Sequence, residues 1–436
     1  MSASLRSRRR EIIVLAVPAM LALAADPLLS LIDTALVGRL GAAELAALGV
    51  ASAVFTSLFW LFNFLTYGTT SEVARALGGG RPEEAARRVA QALWLALACG
   101  LLVTALLQAA TPAILAAMGA AGEVREHATA YLRVRALAAV PALVAMVGHG
   151  AYRGLKDTRT PLRITVALNV ADAALSWALI YPAGLGVAGA AWGTVVAQTA
   201  VAAAFLVLLR RRLPSAAARV DPAVMRAILR VSRDLFLRTA SLLAGQLLST
   251  AAAARMGTEA LAAHQVAREL WVLLALVLDG FAIAGQAMIA TSLGAGDART
   301  AKAEAVTLVR YGAATGLAIG VGYLLLIGAL PGVFSRDAGV LEQVRAVWPV
   351  VALLQPIGGV VFVLDGVLMG AHDYRYLLRT TALASLGVLA PVSFLALGLG
   401  WGLTGVWAGM AGLMLVRLVA LSLRLQRWDA VTATLR

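Results

Sequence analysis

The segment Gly150-Ala-Tyr-Arg-Gly154-Leu-Lys-Asp157-Thr-Arg159 recurs later in the chain as Gly366-Val-Leu-Met-Gly370-Ala-His-Asp373-Tyr-Arg375. The two copies are separated by 216 positions (366 − 150). The same offset aligns Arg39-Leu-Gly41 with Arg255-Met-Gly257, and the glycines at 184, 186, 189 and 193 with those at 400, 402, 405 and 409. A constant offset from residue 41 to residue 193 predicts two copies of one structural unit, with almost no net insertion between them.

The composition is that of a membrane protein. Of the 436 residues, 61% are hydrophobic, and the mean hydropathy is +0.85. About twelve apolar runs are long enough to cross a bilayer, for which about 20 residues are needed. They lie at 12–38, 47–76, 89–110, 128–150, 162–182, 187–209, 235–254, 262–292, 305–329, 346–370, 377–398 and 402–423. Backbone in lipid must satisfy its own hydrogen bonds, so the sequence predicts an all-α polytopic protein with six helices per repeat.

The positive charges mark one side of the membrane. The net charge is +14, and the arginines and lysines cluster before the first run, after every second run, and between the halves. Positively charged loops face the cytoplasm, so we expect both termini there. The basic excess is therefore a topology signal, and we expect no nucleic-acid partner. An even number of spans per half gives the two repeats the same orientation, the parallel kind of repeat.

The domain organisation follows from the repeat. We expect a first six-helix bundle at 1–209, a cytoplasmic linker at 210–234 with two prolines and seven arginines, and a second bundle at 235–436. Two such bundles in an apolar chain are typical of a secondary transporter with a V-shaped bundle pair. Cys99 is the one cysteine, so disulfides and cysteine–metal chemistry are excluded.

Six ionisable side chains inside the apolar runs, five aspartates and one histidine, are candidates for a functional role. An ionised group at the bilayer centre costs roughly 2.5–3.5 kcal/mol on insertion scales, so each needs a reason to be there. The reason is either function or hydrogen bonding between helices. The six groups are Asp26, Asp33, Asp172, Asp279, Asp365 and His149.

Asp33 is the strongest candidate for ion coupling. Asp26 lies seven residues earlier and therefore shares its helical face, which makes it a substrate-binding candidate. Pro18 and Pro27 remove backbone donors from the same helix and allow it to bend. Desolvation penalises the charged carboxylate. We therefore expect Asp33 to exchange a proton, or bind sodium, during transport.

Other polar side chains share helical faces with these groups. Asp172, Ser176 and Asn169 lie on nearly one side of the fifth run and complete the predicted ion-coupling set. The substrate-binding candidates are Asn63, Thr66 and Thr70 on the second run, together with Asp279, Gln286, Asp365 and His149. The hydroxyl stripe is alternatively packing between helices, and Asp365 alternatively pairs with His149, its repeat partner. His149 is not expected to bind a metal, because no second His or Cys has suitable spacing.

Four segments in order resemble the multidrug and toxic compound extrusion (MATE) family of transporters over residues 10–425. The first is Pro18 followed by Pro27-Leu-Leu-Ser-Leu-Ile-Asp33-Thr-Ala-Leu-Val-Gly38-Arg-Leu-Gly41, and the second is Tyr152-Arg-Gly154-Leu-Lys-Asp157-Thr-Arg-Thr-Pro161. The segments Leu278-Asp279-Gly280-Phe-Ala282 and Leu364-Asp365-Gly366 resemble the branch named for the DNA-damage-inducible protein DinF.

The resemblance implies an antiporter that exports cationic or amphipathic organic compounds against inward proton or sodium flow. It implies that Asp33 matches the family's coupling aspartate and Pro18 its bending proline. Many members carry Asn and Asp four apart in the fifth helix, where this chain has Asp172 and Ser176, so the ion site is altered. The branch often has Glu where this chain has Gln286.

We expect proton coupling with alternating access, because no full oxygen cage for sodium is evident. The alternatives are sodium-coupled antiport and a flippase for lipid-linked precursors. A flippase is expected to have a cationic cavity, whereas the deep charges in this sequence are mainly acidic. No catalytic set or Walker loop is present, so an enzyme is not expected. We expect no cofactor beyond the coupling ion, and a monomer in the bilayer of the cytoplasmic membrane.

Overall fold

The computed structural model describes residues 2–214, 219–335 and 337–428. For residues 2–9 and 26 it describes the backbone only. This part of the chain is helical and contains no strand. Its helices are α1 Ser2–Gly38, α2 Ala42–Trp60, α3 Phe64–Gly78, α4 Pro82–Ala117, α5 Gly122–Ala136, α6 Ala139–Gly154, α7 Arg159–Ile180, α8 Gly186–Arg212, α9 Pro222–Arg255, α10 Thr258–Gly294, α11 Ala298–Leu325, α12 Pro331–Phe334, α13 Ala338–Gly370, α14 Tyr374–Ala384, α15 Ala390–Gly398 and α16 Gly402–Gln426.

Ten helices of the described residues are long and apolar enough to cross a membrane, which confirms a polytopic all-α protein. Two of these spans are composite: a 3₁₀ turn at Leu61–Asn63 joins α2 to α3, and a π-helical turn at Ser385–Leu389 joins α14 to α15. An eleventh span is formed if α5 and α6, which meet at a bend of 51°, are counted together.

The expected twelfth span differs from the others. The run at 235–254 belongs to α9, which does not reach the hydropathy of the ten because Arg238 and Gln246 lie within it. The run predicted at 128–150 is likewise not one straight helix, since the chain bends between Ala136 and Ala139.

The chain forms two compact units. The first unit consists of residues 21–232, and the second unit consists of residues 1–20 and 233–436. The change of unit after residue 232 lies within the segment predicted as a linker, although α9 already begins at Pro222. The amino-terminal part of α1 packs with the second half of the sequence, since a Cβ atom on Gly280 would lie 2.7 Å from the carbonyl oxygen of Ala16.

The backbone repeats itself at the predicted offset. Lys156 and His372, 216 positions apart, both adopt a positive φ, of 57° and 58°. In the first unit, a Cβ on Gly150 would lie 2.5 Å from the carbonyl oxygen of Thr66. In the second unit, a Cβ on Gly366 would meet the carbonyl oxygen of Ala282, the position equivalent to Thr66. The helix crossings of α3 with α6 and of α10 with α13 are therefore copies of one contact, and both require glycine.

Candidate functional site

An apolar cluster closes one end of the first unit. It lies where α1, α4 and α7 end and where α2, α5 and α8 begin, and its buried members include Val37, Leu115, Leu132, Ile180 and Ala190. One helical turn further into the bundle, polar side chains replace apolar ones. Asp33 precedes Val37 by four residues, Ser176 precedes Ile180 by four, and Thr194 follows Ala190 by four. The candidate site is this polar layer, by which we mean Asp33, Asp172, Ser176 and Thr194 together with Arg135 on α5.

Asp172 is the most buried charge of the layer, with 1% of the residue exposed. The hydroxyl of Ser176, one turn later on α7, donates a hydrogen bond of 3.3 Å to its Oδ1 atom. The Thr194 hydroxyl on α8 also lies near this carboxylate, but it donates its proton to the carbonyl oxygen of Ala190 at 3.2 Å. A buried charge needs such a partner, and the four-residue spacing within α7 supplies it.

Asp33 on α1 lies close to Asp172 but is bonded differently. The two carboxylates are within electrostatic range of each other and of the Arg135 guanidinium on α5. The Asp33 Oδ1 atom is buried and finds no hydrogen-bond partner among the described residues. Because a buried carboxylate oxygen without a donor is costly, Asp33 is the member of the layer best suited to take up a proton or a cation.

Arg135 supplies a positive charge that the sequence analysis did not count. Its Cζ atom lies 4.1 Å from the centroid of the Phe55 ring on α2, a cation–π contact. The Tyr131 side chain, one turn earlier on α5, hydrogen-bonds to it. With both carboxylates ionised and Arg135 protonated, the layer carries one net negative charge.

Two hydrogen bonds, one on either side of Asp33, join α1 to α7 and to the residue that follows α7. The amide nitrogen of Asn169 donates to the carbonyl oxygen of Ala25 at 3.1 Å, and the Tyr181 hydroxyl donates to that of Leu36 at 2.8 Å. The Asn169 amide therefore binds the α1 backbone in this structure. Pro27 lies between these bonds, where it removes one donor from the helix.

The remaining predicted groups of the first unit are dispersed. Thr70 is fully buried and donates to the carbonyl oxygen of Thr66 in its own helix, while Thr66 donates to that of Met146 on α6. Asn63 ends the 3₁₀ turn, and the His149 ring packs against Phe205 with centroids 4.8 Å apart. The Thr66 hydroxyl thus joins two helices, the alternative left open from the sequence, whereas the Thr70 hydroxyl bonds within its own helix.

Two further predicted residues concern α1. The side chain of Asp26 lies outside the described residues. Pro18 belongs to the second unit and Pro27 to the first, so the two prolines flank the point at which α1 passes from one unit to the other.

Asp365 in the second unit forms a buried ion triad. Its Oδ2 atom accepts a hydrogen bond of 2.7 Å from Nη2 of Arg238 on α9, and another from Nη2 of Arg417 on α16. The side chains are only 8%, 7% and 4% exposed for Arg238, Asp365 and Arg417. Asp365 thus pairs with two arginines instead of His149, and the triad carries one net positive charge. Asp279 is half-buried and Gln286 is buried on α10, and both have polar interactions.

The deep charges are therefore more nearly balanced than the sequence analysis expected. Three arginines within the predicted spans, Arg135, Arg238 and Arg417, accompany the aspartates because a buried carboxylate without a counter-charge is too costly. Their positions inside the runs 128–150, 235–254 and 402–423 were a signal available from the sequence. Within the described residues, no group of three or more His, Cys, Asp or Glu could hold a metal ion.

Comparisons with known proteins agree on one family. The sequence profile of the MatE family matches residues 18–178 and again residues 235–395, close to the offset of the internal repeat. Protein DETOXIFICATION 44, chloroplastic, from Arabidopsis thaliana is 34% identical over 427 residues, covering 95% of this chain and 82% of that protein. DNA damage-inducible protein F from Escherichia coli is 29% identical and covers 94% and 89%.

The fold is shared with solved structures. A multidrug resistance MATE family transporter in an outward-facing conformation superposes with a TM-score of 0.87 at 22% identity. The match covers 97% of this chain and 96% of that one.

Proposed function

This chain belongs to the MatE family, whose members are transporters and not enzymes, and on that premise we propose that it exports cationic or amphipathic organic compounds by proton-coupled antiport. The resemblance to the DinF-like branch is confirmed by the match to the Escherichia coli protein. The chain is a multi-pass membrane protein. The coupling ion, the substrate class and the sidedness are the proposal.

The observation that carries the proposal is that two carboxylates share one guanidinium in the first unit, so that the layer has one net negative charge when both carboxylates are ionised. Asp33, Asp172 and Arg135 contribute two negative charges and one positive charge. A proton on Asp33 neutralises the layer, and so does a bound organic cation. A proton alone or an organic cation alone balances the negative charge, whereas both together give the layer a net positive charge. Proton and substrate therefore compete, which is what antiport requires.

Asp33 is the proton-exchanging group in this proposal, and Asp172 keeps the hydrogen bond that it accepts from Ser176. Neutralising Asp33 removes the attraction between α1 and Arg135. Asn169 and Tyr181 hold α1 on both sides, so a change at Asp33 is passed to the segment around Pro27. An ion shifts the conformational equilibrium only if its affinity differs between the two states, and the charge of Asp33 provides that difference.

The charge distribution of the second unit fits this division of roles. Asp365 is compensated by Arg238 and Arg417 and has no net negative charge to offer a cation. Asp365 therefore does not attract the cation, and in this proposal the first unit does. The arginine-rich loops support a placement in the cytoplasmic membrane with both termini in the cytoplasm, where the chain acts as a monomer.

The test is transport into proteoliposomes with separate pH and sodium gradients, scored by accumulation of a fluorescent organic cation. We expect uptake driven by the pH gradient and abolished in Asp33→Asn, while Asp337→Asn is unaffected. Asp337 is an exposed N-cap, a role that Asn also fills. Uptake driven by the sodium gradient alone would show that sodium, and not the proton, is the coupling ion. Uptake driven by neither gradient would exclude antiport and favour a flippase.

A further inference from the structure

Arg135 occupies an unusual place for a cation inside a membrane bundle. It lies in the last turn of α5, next to the bend that separates α5 from α6. Its guanidinium contacts the Phe55 ring and the Tyr131 side chain. Its Nη1 atom is buried and has no hydrogen-bond partner in the described part of the chain. No ion pair within 4.0 Å joins Arg135 to a described carboxylate, so its charge acts on Asp33 and Asp172 through space.

The groups around Asp172 would otherwise suit a small metal cation. They comprise two carboxylates and the hydroxyls of Ser176 and Thr194, all of them oxygen donors. Hard cations prefer such oxygen ligands. Without Arg135 the layer would carry two negative charges, enough to bind a sodium ion and still remain negative. The composition of the layer alone would therefore not exclude sodium.

We propose that Arg135 is a specificity-determining residue that takes the place of a sodium ion and restricts the layer to protons and organic cations. This inference rests on the proposed function and names what sets its ion selectivity. A fixed guanidinium repels a compact metal ion placed between the carboxylates. A proton bonds covalently to a carboxylate oxygen and needs no coordination shell, so the same guanidinium discriminates between the two ions.

The size of the effect follows from electrostatics. Two unit positive charges about 6 Å apart, at an effective dielectric constant of about 20, repel enough to lower the affinity for the second cation about 100-fold. Removing the charge of Arg135 should raise the sodium affinity by that factor. Replacing Arg135 by another cation should not.

The experiment measures sodium binding directly, by the sodium dependence of tryptophan fluorescence and by bound ²²Na⁺ in purified protein at alkaline pH, where protons do not compete. The variants are Arg135→Gln and Arg135→Met, with Arg135→Lys retaining the charge. Arg133→Gln is the matched control, since Arg133 lies two residues earlier on α5 and is exposed.

We expect sodium binding about 100-fold tighter in Arg135→Gln and Arg135→Met than in the wild type, Arg135→Lys and Arg133→Gln. Adding Asp33→Asn to Arg135→Gln should abolish the gain. Wild-type affinity in folded Arg135→Gln and Arg135→Met, or a gain in Arg135→Lys equal to theirs, would overturn the inference. Transport driven by the pH gradient is scored separately in the wild type, so a failure of proton coupling is distinguishable from a failure of this selectivity.

Discussion

The buried triad of the second unit makes a prediction about stability. Asp365→Asn preserves the shape of the side chain but removes the negative charge that Arg238 and Arg417 share. Both guanidinium groups would then remain buried, with side chains 8% and 4% exposed, and would repel each other. The change therefore isolates electrostatics from packing.

The expected loss is large. Breaking a buried ion pair by removing one partner costs about 3–5 kcal/mol, because the remaining charge is left uncompensated. Two charges remain here, so the upper part of that range applies. Arg417→Met, by contrast, leaves a neutral pair of Asp365 and Arg238 and a methionine that fills much of the same volume. We therefore expect Arg417→Met to cost less than Asp365→Asn.

The assay is unfolding of the purified protein in detergent, followed by tryptophan fluorescence. The double variant Asp365→Asn with Arg417→Met should be more stable than Asp365→Asn alone, since it buries one uncompensated charge instead of two. Asp337→Asn is the control and should lie within about 0.5 kcal/mol of the wild type. A loss below about 1 kcal/mol in Asp365→Asn, or a larger loss in Arg417→Met, would refute the triad as the stabilising contact.

Three further predictions concern packing, the attachment of α1 and sidedness. Gly150→Ala should lose about 1–3 kcal/mol in the same unfolding assay, since its Cβ would lie 2.5 Å from the Thr66 carbonyl oxygen, whereas Gly49→Ala, with nothing within 4 Å, should lose nothing. Equal stabilities would contradict the close crossing of α3 and α6. Asn169→Ala and Tyr181→Phe should each cost about 1 kcal/mol and speed amide exchange over residues 25–37, compared with Thr307→Ala, which removes only an exposed bond within its own helix. Unchanged exchange there would mean that these bonds do not hold α1. In a Cys99→Ser background, Ala121→Cys should react with an impermeant maleimide in intact cells and Ala295→Cys only after permeabilisation, and the reverse pattern would invert the topology.

The duplicated fold was predictable because its signal is spread over many positions. The glycines at 150 and 366 are required by the same backbone approach in both units, so the repeat in sequence is a repeat in contacts. The positive φ at Lys156 and His372 was not predictable from the residue types, because neither lysine nor histidine is typical of that conformation. The offset of 216 positions nevertheless makes the two residues equivalent.

The site was predictable only in part. Asp33, Asp172 and Ser176 were identified because carboxylates in an apolar run are conspicuous, and helical spacing places the last two together. Arg135 was missed because only aspartates and one histidine were considered as deep charges, although the run 128–150 contains this arginine. Arg135 lies directly before the bend between α5 and α6 and within electrostatic range of both carboxylates, and no local pattern in the sequence predicts that bend.

The second unit shows the same limit. Asp365 was read as a lining carboxylate, but its environment depends on Arg238 and Arg417, which are distant in sequence. Pairing between such positions is a tertiary property, and periodicity within one helix does not contain it.

The most direct test of the account is the number of protons released when an organic cation binds. Purified protein in weakly buffered detergent solution is titrated with the cation, and a pH-sensitive dye reports the released protons. At a pH where Asp33 is protonated before the cation binds, competition for its carboxylate predicts about one proton released per cation bound, and none in Asp33→Asn. Saturable binding of the cation to the wild type with no proton release, from acidic to neutral pH, would contradict the competition on which the proposed antiport depends.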